Sequence, residues 1–251
     1  MTMAAVSQEI TVAAASDLQP AFKEIAADFE RKTGVKVRTV FGSSGNFFSQ
    51  IENGAPYDIY FSADVEYPRR LVAANLAEGE TWYIYAVGKI VLWAPHSGRL
   101  DLEKDGLKAL LDPWVRKVAI ANPAHAPYGK AAQAAMQSAG VYEAVKPRLV
   151  LGDNISQAAA FVKSGSAQAG VLSISLALTP ELQAEGKFWM IPQALYARLE
   201  QAAVVVTASK KKKLAERFLE YLRSPDAQMV MKKFGFEPPV HASAEKKQDK
   251  R

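Results

Sequence analysis

Apolar runs of strand length alternate with amphipathic segments along the first third of the chain. Residues 17–32 place apolar side chains at helical spacing on one face, namely Leu18, Phe22, Ile25, Ala26 and Phe29. The same pattern predicts strands at 10–15, 35–40 and 58–62 and helices at 17–32, 46–53 and 68–75. A strand–helix alternation of this kind predicts an α/β fold with a mostly parallel sheet covered by helices on both faces.

The alternation begins again after a long apolar run at residues 83–93. Further strands are predicted at 117–121, 150–151 and 169–173, with helices at 129–138, 155–163 and, after the apolar segment 202–206, near 214–231. We interpret 83–93 and 202–206 as two crossover strands that join two βα lobes with a ligand cleft between them. The predicted domains are lobe 1, residues 9–86 plus 203–239, lobe 2, residues 87–202, and a disordered basic tail, residues 240–251.

Four junctions between a strand and a helix carry small or polar residues. They lie at residues 13–17, 41–45, 122–129 and 152–156, and each contains a hydroxyl or an amide side chain. The first turn of a helix has unpaired N–H groups and a partial positive charge, which together attract anions. Since ligands of open parallel sheets bind beyond the carboxyl ends of the strands, we expect these junctions to converge. Their convergence would surround one small oxyanion with neutral donors.

Charge and composition argue against several classes of function for this chain. The chain has 251 residues, 49% of them hydrophobic, and a net charge of +5. Four lysines at 210–213 and the basic tail carry this excess, so the remainder is close to neutral and a nucleic-acid partner is not expected. The absence of cysteine excludes disulfides, thiolate metal sites and cysteine nucleophiles.

Targeting signals are weak in this sequence. No apolar run approaches the roughly 20 residues that span a bilayer. The N-terminus lacks the charged and apolar regions of a signal peptide, so we interpret it as a start codon fused near a mature N-terminus, with the signal peptide replaced.

Several motifs resemble those of the periplasmic molybdate-binding proteins of ABC transporters, which have the type II periplasmic binding protein fold. The matching segments, over roughly residues 9–239, are Ala-Ala-Ala-Ser-Asp-Leu at 13–18, Phe-Gly-Ser-Ser-Gly at 41–45, Asn-Gly-Ala-Pro-Tyr-Asp-Ile-Tyr-Phe-Ser-Ala-Asp at 53–64 and Asn-Pro-Ala-His-Ala-Pro-Tyr-Gly at 122–129. The resemblance implies a monomeric periplasmic receptor that binds molybdate or tungstate between its lobes. It also implies delivery to membrane permease subunits, without a cofactor and without enzymatic activity.

The resemblance also implies which residues hold the oxyanion. Ser16 and Ser44 would donate hydroxyl and backbone N–H groups from lobe 1, and Asp17 would offer only its backbone N–H. Tyr128 and Ile155 would donate from lobe 2, the latter necessarily through its backbone. No residue would coordinate a metal ion directly, because the metal is held through the oxygens of the oxyanion. Some members of the family carry a donating tyrosine where this chain has Ser173, which leaves one donor open.

Simpler interpretations accompany these assignments. Ser16 could be an ordinary N-cap, and Tyr128 could pack on its neighbouring proline. Asp58 and Asp64 are expected to be structural carboxylates, since a carboxylate facing a dianion is repulsive, and His125 is expected to support the site or lie on the surface. The alternative functions are a receptor for sulfate or phosphate, a ligand-sensing module of a regulator, or an enzyme on the same fold. The sequence offers no nucleophile–base pair or metal cluster for the last of these.

Overall fold

Two five-stranded sheets organise residues 8–239, the part of the chain that the computed structural model describes. The predicted tail at 240–251 lies outside the described residues. The strands, in chain order, are β1 (Glu9–Ala15), β2 (Lys36–Gly42), β3 (Ile59–Ser62), β4 (Tyr83–Gly88), β5 (Ile90–Pro95), β6 (Val118–Ala121), β7 (Leu149–Gly152), β8 (Ala169–Ser173), β9 (Gly186–Met190) and β10 (Leu199–Val205).

Helices cover the faces of both sheets. In chain order they are α1 (Gln19–Thr33), α2 (Ser44–Glu52), α3 (Glu66–Ala73), α4 (Leu102–Asp105), α5 (Pro127–Ser138), α6 (Tyr142–Val145), α7 (Ile155–Lys163), α8 (Ile174–Ala177), α9 (Pro180–Glu185), α10 (Lys212–Leu222) and α11 (Pro225–Lys233). Short 3₁₀ helices span Ser16–Leu18, Gly79–Thr81, Gly106–Leu111, Lys146–Arg148 and Gln193–Leu195. None of these helices within residues 8–239 is both long and apolar enough to cross a membrane.

Both sheets are mixed and share the same arrangement of parallel and antiparallel strands. The first sheet has the order β2-β1-β3-β10-β4, in which β1 pairs in parallel with β2 and β3 while β10 runs antiparallel to β3 and β4. The second has the order β7-β6-β8-β5-β9, with β5 antiparallel to β8 and β9. The two-lobed α/β fold is therefore confirmed, and four of the five strands in each sheet run in one direction, as a mostly parallel sheet requires. The strands that follow each crossing, β5 and β10, enter their sheets in the opposite direction.

The chain passes from one sheet to the other at two points. The apolar run predicted as one crossing breaks at Lys89 into β4 of the first sheet and β5 of the second. The chain returns through residues 191–198 to β10, which belongs wholly to the first sheet. We propose these positions as the limits of the two lobes, in place of the predicted divisions after residues 86 and 202.

Helix α1 illustrates how local sequence builds the first lobe. It has Pro20 in its first turn, where a missing N–H costs nothing, and ends because Gly34 adopts a left-handed φ of 70°. Phe22, Ile25 and Phe29 of its predicted apolar face are buried, whereas Ala26 is half-buried. Phe22 and Phe29 pack edge-on against Phe218 of α10 at 5.9 and 5.1 Å between ring centroids. This packing ties the C-terminal helices to the first sheet.

Candidate functional site

All four strand-to-helix junctions meet at one small cavity between the two lobes. The cavity has about 190 Å³ of unfilled space, its opening included, which is less than the roughly 300–1,000 Å³ of sites for organic ligands. All five predicted site residues line it: Ser16, Asp17, Ser44, Tyr128 and Ile155. They are joined by Ala15, Gly42, Ser43, Ala63, Ala126 and Pro127. We call this space the central cavity, and its size suits a small inorganic ion.

Ser16 forms hydrogen bonds across the two lobes. It follows β1 directly, and its hydroxyl donates to Asn154 Oδ1 at 3.2 Å and accepts from Ser156 N at 3.3 Å. Its carbonyl accepts from Ser156 Oγ at 3.1 Å. Ser16 does not cap the helix that it begins, since the N-cap position is Ala15. The hydroxyl is therefore held at the cavity by the start of α7 and not by its own helix.

Ser44 is fixed by two hydrogen bonds that leave its hydroxyl hydrogen free. It opens α2 behind the N-cap Ser43. Its Oγ accepts from Ala63 N at 2.9 Å, and its carbonyl accepts from Tyr60 Oη at 2.7 Å. Because Oγ already accepts one hydrogen bond, the hydroxyl is oriented to donate its hydrogen to a ligand in the cavity.

The second lobe presents backbone N–H groups from two helix starts. Tyr128 lies in the first turn of α5, and Ile155 is the first residue of α7, behind the N-cap Asn154. N–H groups in the first turn have no acceptor within their own helix. The hydroxyl of Tyr128 donates to Asp17 Oδ2 at 2.9 Å, so only its backbone N–H remains for a ligand.

The side chain of Asp17 is the one carboxyl group among the residues that line the central cavity. It is fully buried, and its Oδ2 accepts from Tyr128 Oη and from Gln201 Nε2, the latter at 2.8 Å. Burial raises the pKa of Asp17 from 3.8 to about 7, and the hydrogen bonds from Gln201 and Tyr128 offset part of this rise. The sequence analysis assigned to this residue only its backbone N–H.

Sequence reasoning missed the residues that hold Asp17 in place. Gln201 is fully buried in β10, next to a register shift between Gln201 and Ala202, and Tyr85 Oη donates to its Oε1 at 2.7 Å. An amide within the apolar run Leu-Glu-Gln-Ala-Ala-Val-Val was the available signal. Buried amides need partners, and bulges are frequent beside functional sites.

His125 connects the two lobes on the other side of the cavity. Its Nδ1 lies 2.8 Å from Ser43 Oγ, and its carbonyl accepts from Gly45 N at 2.9 Å. A Cβ atom on Gly45 would lie 2.7 Å from this carbonyl oxygen, so the close approach of the lobes requires glycine here. These contacts show the two lobes closed on the cavity.

The central cavity is electrostatically unusual for an anion site. None of its lining residues is lysine, arginine or histidine. Residues 8–239 also contain no group of three His, Cys, Asp or Glu side chains that could hold a metal ion. The attraction for an anion therefore comes from hydroxyls, backbone N–H groups and the positive ends of helices.

Other candidate residues have structural roles. The Ser173 hydroxyl caps α8 by accepting from Leu176 N and bonds Ser175 Oγ at 3.0 Å, and Ser173 is not among the cavity-lining residues. Asp58 accepts from Thr11 N at 2.7 Å, and Asp64 accepts from Tyr67 N at 3.1 Å. Both carboxylates thus satisfy backbone donors, as the simpler interpretation expected.

A larger groove lies on the outer surface between α1 and α11. It has about 870 Å³ of unfilled space, but its charged groups are paired, as in the contact between Lys32 Nζ and Asp226 Oδ2 at 2.5 Å. None of the four strand-to-helix junctions lies at this groove, so its larger size does not make it the better candidate for the ligand site.

The model of the family of bacterial extracellular solute-binding proteins matches residues 10–237. The chain belongs to this family. The molybdate-binding protein ModA of Rhodobacter capsulatus is 40% identical to this solute-binding protein over 233 residues, which are 93% of this chain and 89% of that protein. ModA of Azotobacter vinelandii is 37% identical over 94% of this chain and 92% of its own length.

A solved structure supports the same relationship. The periplasmic molybdate-binding protein of Azotobacter vinelandii matches with a TM-score of 0.86 and 31% identity, over 92% of this chain and 99% of that one. Solute-binding proteins are receptors, which confirms the prediction that the chain is not an enzyme and uses no cofactor. The family description also places this solute-binding protein outside the cytoplasm.

Proposed function

We propose that this solute-binding protein holds molybdate or tungstate in the central cavity and delivers it, as a periplasmic monomer, to the permease subunits of an ABC importer. The observation that carries the proposal is the set of neutral donors that four helix starts direct to one small cavity. The names of the relatives supply the chemical identity of the oxyanion.

The donors are sufficient to bind a dianion. The proposed set comprises the Ser44 hydroxyl, the Ser16 hydroxyl once an anion oxygen replaces Asn154 Oδ1 as its acceptor, and N–H groups at the starts of the four helices, including those of Asp17, Tyr128 and Ile155. A hydrogen bond to a charged group contributes roughly 1.5–3 kcal/mol, so five or more can exceed the cost of removing water from the anion.

Neutral donors also explain selectivity. A lysine or arginine clamp attracts every anion, whereas a rigid set of donors discriminates by size and protonation state. Sulfate is smaller than molybdate and cannot reach all the donors at once. A phosphate that retains a proton needs an acceptor, and an unmatched donor in a buried site costs about 1–3 kcal/mol.

Isothermal titration with molybdate, tungstate, sulfate and phosphate tests the proposal, on protein that has been unfolded and refolded to remove bound ligand. We expect tight one-to-one binding of molybdate and tungstate and weak binding of the other two anions. Tight sulfate or phosphate binding without a molybdate response would assign the cavity to another oxyanion. Light scattering in the presence of molybdate should give one chain per particle, and a stable dimer would contradict the monomer.

A further inference from the structure

The carboxyl group of Asp17 uses only one of its two oxygens. Oδ2 accepts hydrogen bonds from Tyr128 Oη at 2.9 Å and from Gln201 Nε2 at 2.8 Å. Oδ1 is buried and has no hydrogen-bond partner within residues 8–239. An ionised carboxylate with an unpartnered buried oxygen is unfavourable, because each oxygen normally accepts from water or protein donors.

The surrounding hydrogens determine where a proton on this carboxyl group can lie. Tyr85 Oη donates to Gln201 Oε1 and also lies 3.1 Å from the Ser62 carbonyl oxygen. The amide nitrogen of Gln201, Nε2, therefore faces Asp17 and Tyr128. The opposite orientation of the amide would bring its oxygen to 2.8 Å from Oδ2, which is repulsive when Oδ2 carries no proton. With two hydrogens directed at Oδ2, Oδ1 is the oxygen that can carry a proton.

Within residues 8–239, the groups packed around Asp17 offer no positively charged side chain to hold it ionised. Tyr128 on α5, Gln201 on β10 and Tyr85 on β4 are uncharged, and burial raises the pKa of both tyrosines well above the usual range. Ser175 on α8 donates to the Asp17 carbonyl at 2.7 Å. The backbone N–H groups of Asp17 and Leu18 favour the ionised form, but neither makes a hydrogen bond of normal geometry to Oδ1.

Two further titratable groups lie in the surroundings of this network. Asp64 interacts with Tyr85 and Tyr60, and its carboxyl group satisfies the start of α3. His125 lies beside the cavity through its contact with Ser43. An arriving dianion adds negative charge next to Asp17 and so favours its neutral form still more.

We propose that Asp17 binds the oxyanion as a neutral carboxylic acid, whose Oδ1–H donates a hydrogen bond to an anion oxygen. This inference rests on the proposed function. No bond is formed or broken except that one proton passes from solvent to Oδ1 when the free carboxylate is ionised. The neutral acid makes the central cavity a donor-only site, whereas an ionised Asp17 would accept the proton of hydrogen phosphate. The protonation state of this residue therefore determines which class of oxyanion fits.

Proton uptake during binding tests the inference directly. In the closed arrangement of the lobes, burial raises the pKa of Asp17 to about 7. At about pH 8.5 the free carboxyl group is therefore ionised, and binding of molybdate should take up about one proton. Titration calorimetry in buffers of different ionisation enthalpy measures this number. At about pH 6 the uptake should be much smaller, and above neutral pH the affinity should fall by up to about tenfold per pH unit.

Two variants assign the proton to a residue. In Asp17→Asn the amide oxygen can accept from Tyr128 and Gln201, and the NH₂ group replaces Oδ1–H, so molybdate should bind without proton uptake. Asp64→Asn removes a half-buried carboxyl group outside the cavity lining and should leave the uptake unchanged. Proton uptake that persists in Asp17→Asn would place the proton on another group and overturn the inference.

The outcomes separate the inference from the proposed function. Tight molybdate binding by the wild type at about pH 8.5 without proton uptake refutes the neutral acid and leaves the receptor for molybdate intact. Absence of molybdate binding at every pH refutes the proposed function. Tight phosphate binding that is lost in Asp17→Asn would show that Asp17 is an ionised acceptor. If Asp17→Asn does not fold, the buffer series on the wild type still decides the protonation of the complex.

Discussion

Replacing Ser44 by alanine separates the two roles that the structure gives to one hydroxyl. The hydroxyl accepts from the buried Ala63 N–H, and in the proposed complex it also donates its hydrogen to the oxyanion. Ser44→Ala removes both hydrogen bonds. The first loss affects the stability of the fold, and the second affects the affinity for the ligand.

The two losses have separate magnitudes. A charge-assisted hydrogen bond contributes about 1.5–3 kcal/mol, which corresponds to an affinity about ten- to 150-fold weaker. A buried N–H without a partner costs about 1–3 kcal/mol of unfolding free energy, whether or not the anion is bound. Isothermal titration with molybdate measures the first quantity, and urea unfolding of the ligand-free protein measures the second.

Tyr60→Phe is the matched control for Ser44→Ala. The Tyr60 hydroxyl donates to the Ser44 carbonyl at 2.7 Å, so its loss weakens the same segment but leaves the Ser44 hydroxyl in place. We expect reduced stability with an affinity changed by less than about threefold. Ser138→Ala, at the exposed end of α5, should change neither quantity. Unchanged affinity of Ser44→Ala, together with reduced stability, would refute the assignment of Ser44 as a ligand donor.

Three further predictions concern closure, pH and the core. Gly45→Ala should weaken molybdate binding at least about tenfold without unfolding the protein, because the new Cβ would lie 2.7 Å from a carbonyl oxygen of the opposite lobe. X-ray scattering should show that this variant adopts an open form. The control Gly79→Ala, at an exposed position, should bind molybdate with unchanged affinity. Without ligand, the wild type should lose stability relative to Asp17→Asn as the pH rises from about 4 to about 7, by at most about 4 kcal/mol. Burial raises the pKa of Asp17 in the folded protein, so between these pH values the folded protein keeps a proton that the unfolded chain has lost. A stability difference that calorimetry finds constant over this pH range contradicts the prediction. Phe218→Ala should cost about 3–5 kcal/mol in urea unfolding and leave the affinity nearly unchanged, and a cost below about 1 kcal/mol would contradict the proposed core role of this fully buried ring.

Local chemistry explains why much of the site could be predicted. A helix start after a strand depends on the residues at the junction itself, such as Ser43 before α2 and Asn154 before α7, both of which cap their helices with a side-chain oxygen. The apolar periodicity of α1 likewise identifies its buried face. These signals depend on residues within a few positions of each other, so they can be recognised in the sequence alone.

The partners of each site residue could not be predicted in the same way. Ser16 bonds residues that follow it by about 140 positions, and Asp17 bonds Gln201 across 184 positions. These contacts depend on β10 entering the first sheet between β3 and β4 and on the closure of the two lobes. No local pattern records such an arrangement, because it results from the packing of whole sheets.

The sequence by itself determined the strand–helix alternation, the four polar junctions and the neutral character of the donors, since each follows from residues that are neighbours in the chain. Only the tertiary structure decided that the sheets are mixed and that the Tyr128 hydroxyl is used on Asp17 and not on a ligand. It also decided that the Asp17 carboxyl group is buried at the cavity. The protonation of a carboxyl group depends on the water and charges around it, and folding determines both.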